Sequence, residues 1–349
     1  MNQRFSTDLH SLTQPLKTEI AGSSGISAHG SDPPTLSEGS AHESAWHYIF
    51  QGPNGLRAGW RLLIFSAIVG TPIAGLLLAE RVFMPPGAHK PSVITPALTM
   101  AGDGILFVLF LFASFIMTLI EGRTIGDYGL PARRAFNKQF WQGAIIGFVA
   151  MSALLGMLHA AGVFNFGSLA LHGAALVKYA ALWGAAFLVV GLTEEFVFRG
   201  YAQFTLTTGV GFWPTAILLS FGFGAIHLGN HGENWIGALD AGSAGFLFCF
   251  ILRRTGDLWM PIGVHAAWDW AESFFYGVPD SGTVSPGHML SPSFHGSKLL
   301  TGGSVGPEGS ILCFVVLALL IVFFHFWLSQ ARYPNPEALG TRPHAQRAM

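Results

Sequence analysis

From Leu56 onward the chain alternates between long apolar runs and short polar connectors. A helix needs about 20 residues to cross the hydrocarbon of a bilayer. Runs of that order fall at about 58–79, 104–120, 140–160, 176–207, 213–231, 235–252, 260–278 and 310–329. They predict an all-α, polytopic membrane protein of about eight transmembrane helices, without an internal repeat. The fourth run is longer than a crossing requires and carries polar residues at its centre. Residues 1–45 read differently: Ser, Gly, His, Thr and Pro dominate (Gly22-Ser23-Ser24-Gly25, Asp32-Pro33-Pro34) and apolar periodicity is absent. That composition predicts a disordered tail. No apolar stretch follows Met1, so a cleavable secretory signal is not expected. The chain therefore divides into a tail over 1–45, a membrane domain over 46–330 and a short cytoplasmic tail over 331–349.

Composition agrees with the pattern. Asp, Glu, Lys and Arg make up 11% of the 349 residues, where a soluble domain carries about 25%, and the mean hydropathy is +0.47. A net charge of −1 leaves no basic footprint and excludes a nucleic-acid partner. The expected surroundings are the lipid bilayer. Cys249 and Cys313 both sit in apolar runs, which excludes a disulfide framework, a multi-Cys zinc site and an iron–sulfur cluster and reads as two small buried hydrophobes. With the N-terminus inside, the outer segments hold only Arg81, Lys90, Lys178 and Lys298 of the 18 basic residues. The positive-inside rule then puts both termini in the cytoplasm, of an inner membrane if the source is bacterial, and the loop 279–309 outside.

An ionisable group inside a bilayer is expensive and invites a functional reading. The strongest cluster is Thr193-Glu194-Glu195-Phe-Val-Phe-Arg199 in the fourth run. Adjacent helical carboxylates point about 100° apart, so the two acids cannot share one role. Glu195 and Arg199, spaced i, i+4, form a ready ion pair. Glu194 remains on a neighbouring face without a local partner, as a general base would. The fifth run carries Phe223-Gly-Ala-Ile-His227, and the seventh carries His265-Ala-Ala-Trp-Asp269 with both polar groups on one face. Taken singly, the His of the fifth run reads as a hydrogen-bonded structural residue. Three runs that each offer acid or imidazole can together activate a water, directly or through a divalent metal, and can donate to an oxyanion. Other intramembrane chemistries fit poorly. H-E-x-x-H is absent, Arg254-Thr-Gly-Asp257 only approaches G-x-G-D, and Ser243 in Ala241-Gly-Ser-Ala-Gly245 reads as helix packing.

The three motifs, in this order and spacing within residues 190–275, resemble the CPBP family of intramembrane proteases (CAAX protease and bacteriocin-processing, or Abi). The family's patterns are E-E-x-x-x-R, F-x-x-x-H and H-x-x-x-N/D. The resemblance implies an intramembrane endopeptidase acting on a protein or peptide substrate, with the site inside the helix bundle. It also implies that Glu194 and His227 activate the attacking water, that His265 and Asp269 stabilise the oxyanion, and that Glu195 and Arg199 hold the site together. Two mechanisms stay open: a divalent metal such as zinc on Glu194, His227 and His265, or a metal-free, glutamate-dependent reaction. Eukaryotic CAAX-processing members carry Asn where this chain has Asp269. Asp donates only when protonated; otherwise it would ligate a metal or fix the tautomer of His265. A transporter or bacteriocin-immunity protein using the cluster for binding is the rival reading, but a transporter would more often bring inverted repeats and broken helices.

Depth raises a question. At 1.5 Å per residue, His227 lies about 20 Å from Trp213, whereas His265 lies about 6 Å from Pro261. The two meet only if the Arg253–Met260 connector dips into the protein or the fifth helix begins outside the bilayer plane. Asp240 reads equally as a helper of the site or a packing hydrogen bond, and Glu272 as facing the pocket or ending a helix. His159 and His231, near span ends, read as structural.

Overall fold

The computed structural model describes residues 49–52, 55–83, 94–230 and 232–334, so the expected tail over 1–45, His231 and most of the expected C-terminal tail lie outside the described residues. After a two-stranded turn, β1 (Gln51–Gly52) and β2 (Gly55–Leu56), come α1 (Ala58–Phe83), α2 (Pro96–Glu121) and α3 (Lys138–Ala160). Strand β3 (Phe164–Leu169) leads to α4 (Gly173–Arg199), α5 (Tyr201–Val210), α6 (Phe212–His227), α7 (Trp235–Thr255) and α8 (Trp259–Asp269). Helix α8 continues into a π-helical stretch, Trp270–Tyr276, and β4 (Leu290–Phe294) and α9 (Ile311–Trp327) follow. The all-α membrane architecture read from the runs is the one observed. Among the described residues, five segments are long and apolar enough to cross a membrane: Ala58–Phe83, Pro96–Glu121, Lys138–Ala160, Gly173–Val210 and Trp235–Thr255. The expected number of eight rested on counting α6, α8 and α9 as well, and these are shorter, at 16, 11 and 17 residues. The α8 run is apolar because the helix is sheathed by protein, with all its residues but Ala267 buried. A core helix and a lipid-facing helix look alike in hydropathy.

Local signals set the ends of these helices. Thr95 and Pro96 open α2, the Thr95 hydroxyl accepting from the Leu98 amide, and the side chains of Asn137, Asn234 and Ser310 cap α3, α7 and α9 in the same way. The long fourth run is interrupted at Gly200, whose backbone (φ −83°, ψ −119°) leaves the helical region and where a Cβ would collide with the Phe196 carbonyl. This separates α4 from α5 immediately after the motif.

Small residues let the central helices touch backbone to backbone. Helices α3 and α8 run parallel, with Gly143 and Gly147 against Met260 and Val264 and Gly263 against Phe140. On the other side of α8, a Cβ at Gly191 of α4 would stand 3.3 Å from the Ala266 nitrogen and the Ile262 oxygen. Gly224 and Gly242 bring α6 and α7 together similarly, in antiparallel sense. The main core lies among α3, α7, α8 and α9, with Leu154, Leu158, Ile251 and Val264 among its buried members.

The α7–α8 connector is itself buried: Asp257 and Leu258 are 1% and 0% exposed. The segment before α3 covers it, as the Leu258 amide donates to the Gly129 carbonyl at 2.8 Å, the Trp259 indole to the Pro131 carbonyl at 3.0 Å, and Arg134 pairs with Asp257 at 3.1 Å. Asp257 also caps α8 by accepting from the Trp259 amide. Burial pushes its carboxyl above the usual range in spite of Arg134. The connector before α8 is thus enclosed by protein, and His227 and His265 line one cavity. Hydropathy gave no sign of the antiparallel pair β3–β4, in register Phe164↔Phe294 and Leu169↔Leu290, which ties the loop after α3 to the 279–309 loop.

The backbone contact makes a signed prediction. Gly147→Ala should lower the apparent melting temperature in detergent by an amount equivalent to about 1–3 kcal/mol, because the added methyl overpacks against Val264. Gly156→Ala, on the same helix with open space at its Cβ, should leave it unchanged or raise it. Equal effects in a thermal-melt series would contradict the close approach.

Candidate active site

The three polar motifs converge. From α4, Glu195 and Arg199 are fully buried and paired at 3.1 Å. Taking two ions out of water costs several kcal/mol each unless their remaining valences are met. The Arg199 guanidinium lies over the Phe223 ring at 4.3 Å and the Phe248 ring at 5.5 Å, so two aromatic faces stand in for water. This assigns a role to the Phe that opens the second motif. The same Glu195 Oε1 accepts from His265 Nδ1 at 3.0 Å, and the His265 ring stacks on Phe248 at 4.9 Å. One carboxylate oxygen thus links α4 to α8.

Because that oxygen only accepts, His265 carries its proton on Nδ1 and aims Nε2 at Glu194 Oε2 (3.7 Å) and Asp269 Oδ2 (3.5 Å). A bare lone pair facing two carboxylates is repulsive, so this trio holds at least one proton, on the imidazole or on an acid. It is a proton store one turn wide. The tautomer of His265 is fixed by Glu195, not by Asp269, which answers one of the roles open to Asp269. His227 Nδ1 donates to the Phe223 carbonyl at 2.7 Å. Its Nε2 is left as an acceptor, and the residue lines the same cavity as Glu194, His265 and Asp269.

That cavity holds about 550 Å³. The Glu194 side chain remains 27% exposed, against 0% for Glu195. The two neighbouring acids have separated into a cavity-facing group and a structural one, as their angular offset predicted.

The site also contains groups the motifs did not announce. Asp103 of α2 lines the cavity together with Glu194 and His265. Its signal was the Thr95-Pro96 helix start, which puts Asp103 inside the second span; a span begun at 104 leaves it out. Asp280, Ser281 and Glu308 line the cavity from the loop after α8. Acids in a Gly- and Ser-rich loop read as solvated, so nothing in the pattern marked them. Asp240 lines it too and accepts from the Cys313 thiol at 3.3 Å. Glu272 does not line the cavity and is fully buried beyond Asp269. His159 bonds the Phe164 carbonyl and Ser243 its own helix, both structural roles. Cys249 and Cys313 are free and buried.

For a metal, the residues proposed from the sequence were Glu194, His227 and His265. Among the described residues, the three-residue set whose ligand atoms all lie within 4.8 Å of one another is a different one, Glu272, Asp280 and Glu308. The Glu194–His227–His265 trio does not fit a preassembled zinc centre in this geometry.

The buried pair can be tested by its non-additivity. Arg199→Met should cost about 3–5 kcal/mol by leaving Glu195 charged and unpaired. The double variant Glu195→Gln/Arg199→Met should recover part of that loss, measured as monodisperse yield and melting temperature in detergent. A double variant as unstable as the sum of the singles would argue against the coupling.

No curated protein and no solved structure matches the chain. Residues 176–271 match the family described as type II CAAX prenyl endopeptidase Rce1-like. The matched segment runs from α4 into the π-helical stretch and contains all three motifs, so the similarity covers residues 176–271 and agrees with the family that the motifs resemble.

Proposed function

We propose that the protein is an intramembrane endopeptidase that hydrolyses a peptide bond of a protein or peptide substrate by a glutamate-dependent route. The observation that carries this reading is the separation of Glu194 from its neighbours: it is the motif acid that combines solvent exposure with a place on the wall of the cavity that His227 also lines. A water between Glu194 and His227 Nε2 gives a proton to Glu194 as its oxygen bonds to the substrate carbonyl carbon. Negative charge grows on the carbonyl oxygen, and a proton held between His265 and Asp269 is available to it by hydrogen bonding. When the C–N bond breaks, Glu194 returns its proton to the leaving nitrogen. Glu195 and Arg199 do not touch substrate on this reading; they hold the orientation of His265.

Ile94 and Leu98, at the start of α2, line the cavity while exposed on the outer surface, which suits an apolar segment arriving from lipid. The membrane setting rests on the five long apolar helices and on the membrane-protease family. The excess of Lys and Arg in alternate connectors favours cytoplasmic termini.

Glu194→Gln in a reconstituted protein should lower peptide cleavage by about 10²–10⁴-fold while leaving the melting temperature near that of wild type. Cleavage at the wild-type rate would remove Glu194 as the base. Treatment with 1,10-phenanthroline, which sequesters zinc, should leave the rate unchanged; its loss would point to a zinc-dependent reaction instead.

A further inference from the structure

Behind Asp269 lies a second polar cluster that the proposed hydrolysis does not use. Glu272 is on the π-helical stretch, Asp280 on the following turn and Glu308 in the Pro307–Gly309 turn. One carboxylate oxygen from each falls within 4.8 Å of the others. Glu272 is 0% exposed, and neither of its oxygens has a hydrogen-bond partner. Among the described residues, no lysine or arginine pairs with any of the three. A buried acid without donor or counter-cation is unstable as it stands. It needs either a proton or a metal ion.

The two neighbouring acids are held as ligands are held. Glu308 accepts from the Trp268 indole at 3.2 Å and from the Ser281 amide and hydroxyl at 3.2 and 2.9 Å. Asp280 accepts from the Ser273 hydroxyl at 3.0 Å. Such outer contacts orient carboxylates while leaving lone pairs for an ion. We infer that Glu272, Asp280 and Glu308 form a binding site for a hard divalent cation. The donors are all oxygen, which disfavours a soft metal. Calcium, which accepts oxygen ligands in flexible geometry, is the probe suited to such a set. The ion would fasten the 279–309 loop to the end of α8. Asp280 and Glu308 line the cavity, so this fixes one of its walls, and the inference stands apart from the proposed hydrolysis.

The test uses full-length protein purified in detergent and stripped with EGTA. Calcium chloride at about 100-fold over half-saturation should raise the apparent melting temperature by about 5 °C. Terbium should bind with luminescence sensitised through tryptophan and displaced by calcium, Trp268 standing beside the site. Glu272→Gln resembles the protonated acid, so it should melt no lower than calcium-free wild type yet lose the calcium shift and the terbium signal. Asp280→Asn should lose both as well and serves if Glu272→Gln yields no folded protein. Wild type that binds neither ion, or variants that keep the full shift, would overturn the site and leave a proton as the partner of Glu272. Neither readout uses peptide cleavage, so failure of this site and failure of the proposed hydrolysis are separable.

Discussion

A positive charge held where water cannot reach it organises this protein. Arg199 is fully buried, and two of the neighbours that make this tolerable, Phe223 and Phe248, also line the cavity. Glu195 neutralises it, Phe223 and Phe248 cover its faces, and the oxygen that binds Arg199 also binds His265. In low dielectric these contacts are strong, and the penalty for losing one is larger than the gain from keeping it. The i, i+4 pair therefore acts as a template: it sets where α6, α7 and α8 must present their aromatic and imidazole groups. Gly191 makes this possible by letting α4 approach α8 closely enough for Glu195 to reach His265.

The polar groups around the cavity then divide by what water can do for them. Glu194 keeps contact with the cavity, while His265 and Asp269 are nearly sealed, the His265 Nε2 lying 3.7 Å from Glu194 and 3.5 Å from Asp269. Further in, Glu272 has no solvent at all. The gradient from half-open acid to orphaned acid starts at Glu194 on α4 and continues from His265 to Glu272 along α8 and its π-helical continuation. A π-helical stretch shifts the side-chain register by one residue per turn, and it begins immediately after Asp269.

Much of this was legible in the chain. The apolar runs located the helices from α1 to α9 except that α4 and α5 read as one run, and the i, i+4 spacings of Glu195–Arg199 and His265–Asp269 announced which groups share a face. The angle between Glu194 and Glu195 foretold their different surroundings. What stayed hidden has a common cause. Hydropathy reports that a residue avoids water, not whether lipid or protein replaces it, so α8 read as a crossing although protein surrounds it. Asp103 was missed because a span was begun where hydropathy rises instead of at its cap. The contributions of Asp280 and Glu308 depend on a loop folded back by the β3–β4 pairing, a long-range contact without local signature. Counting residues from the span ends put His227 and His265 at different depths, yet both line one cavity, and the connector before α8 is buried in protein.

The sheathing of α8 also bears on how the protein is made. A helix with a lipid-facing surface can enter the bilayer alone and pack afterwards, but α8 offers lipid almost nothing and carries His265 and Asp269 with it. Its acid and imidazole become tolerable only where Glu195 and Arg199 already wait. Its glycine contacts need α3 and α4 in position. Biogenesis is thereby ordered: the outer helices are inserted first, and α8 is the late-arriving piece whose docking completes the polar centre.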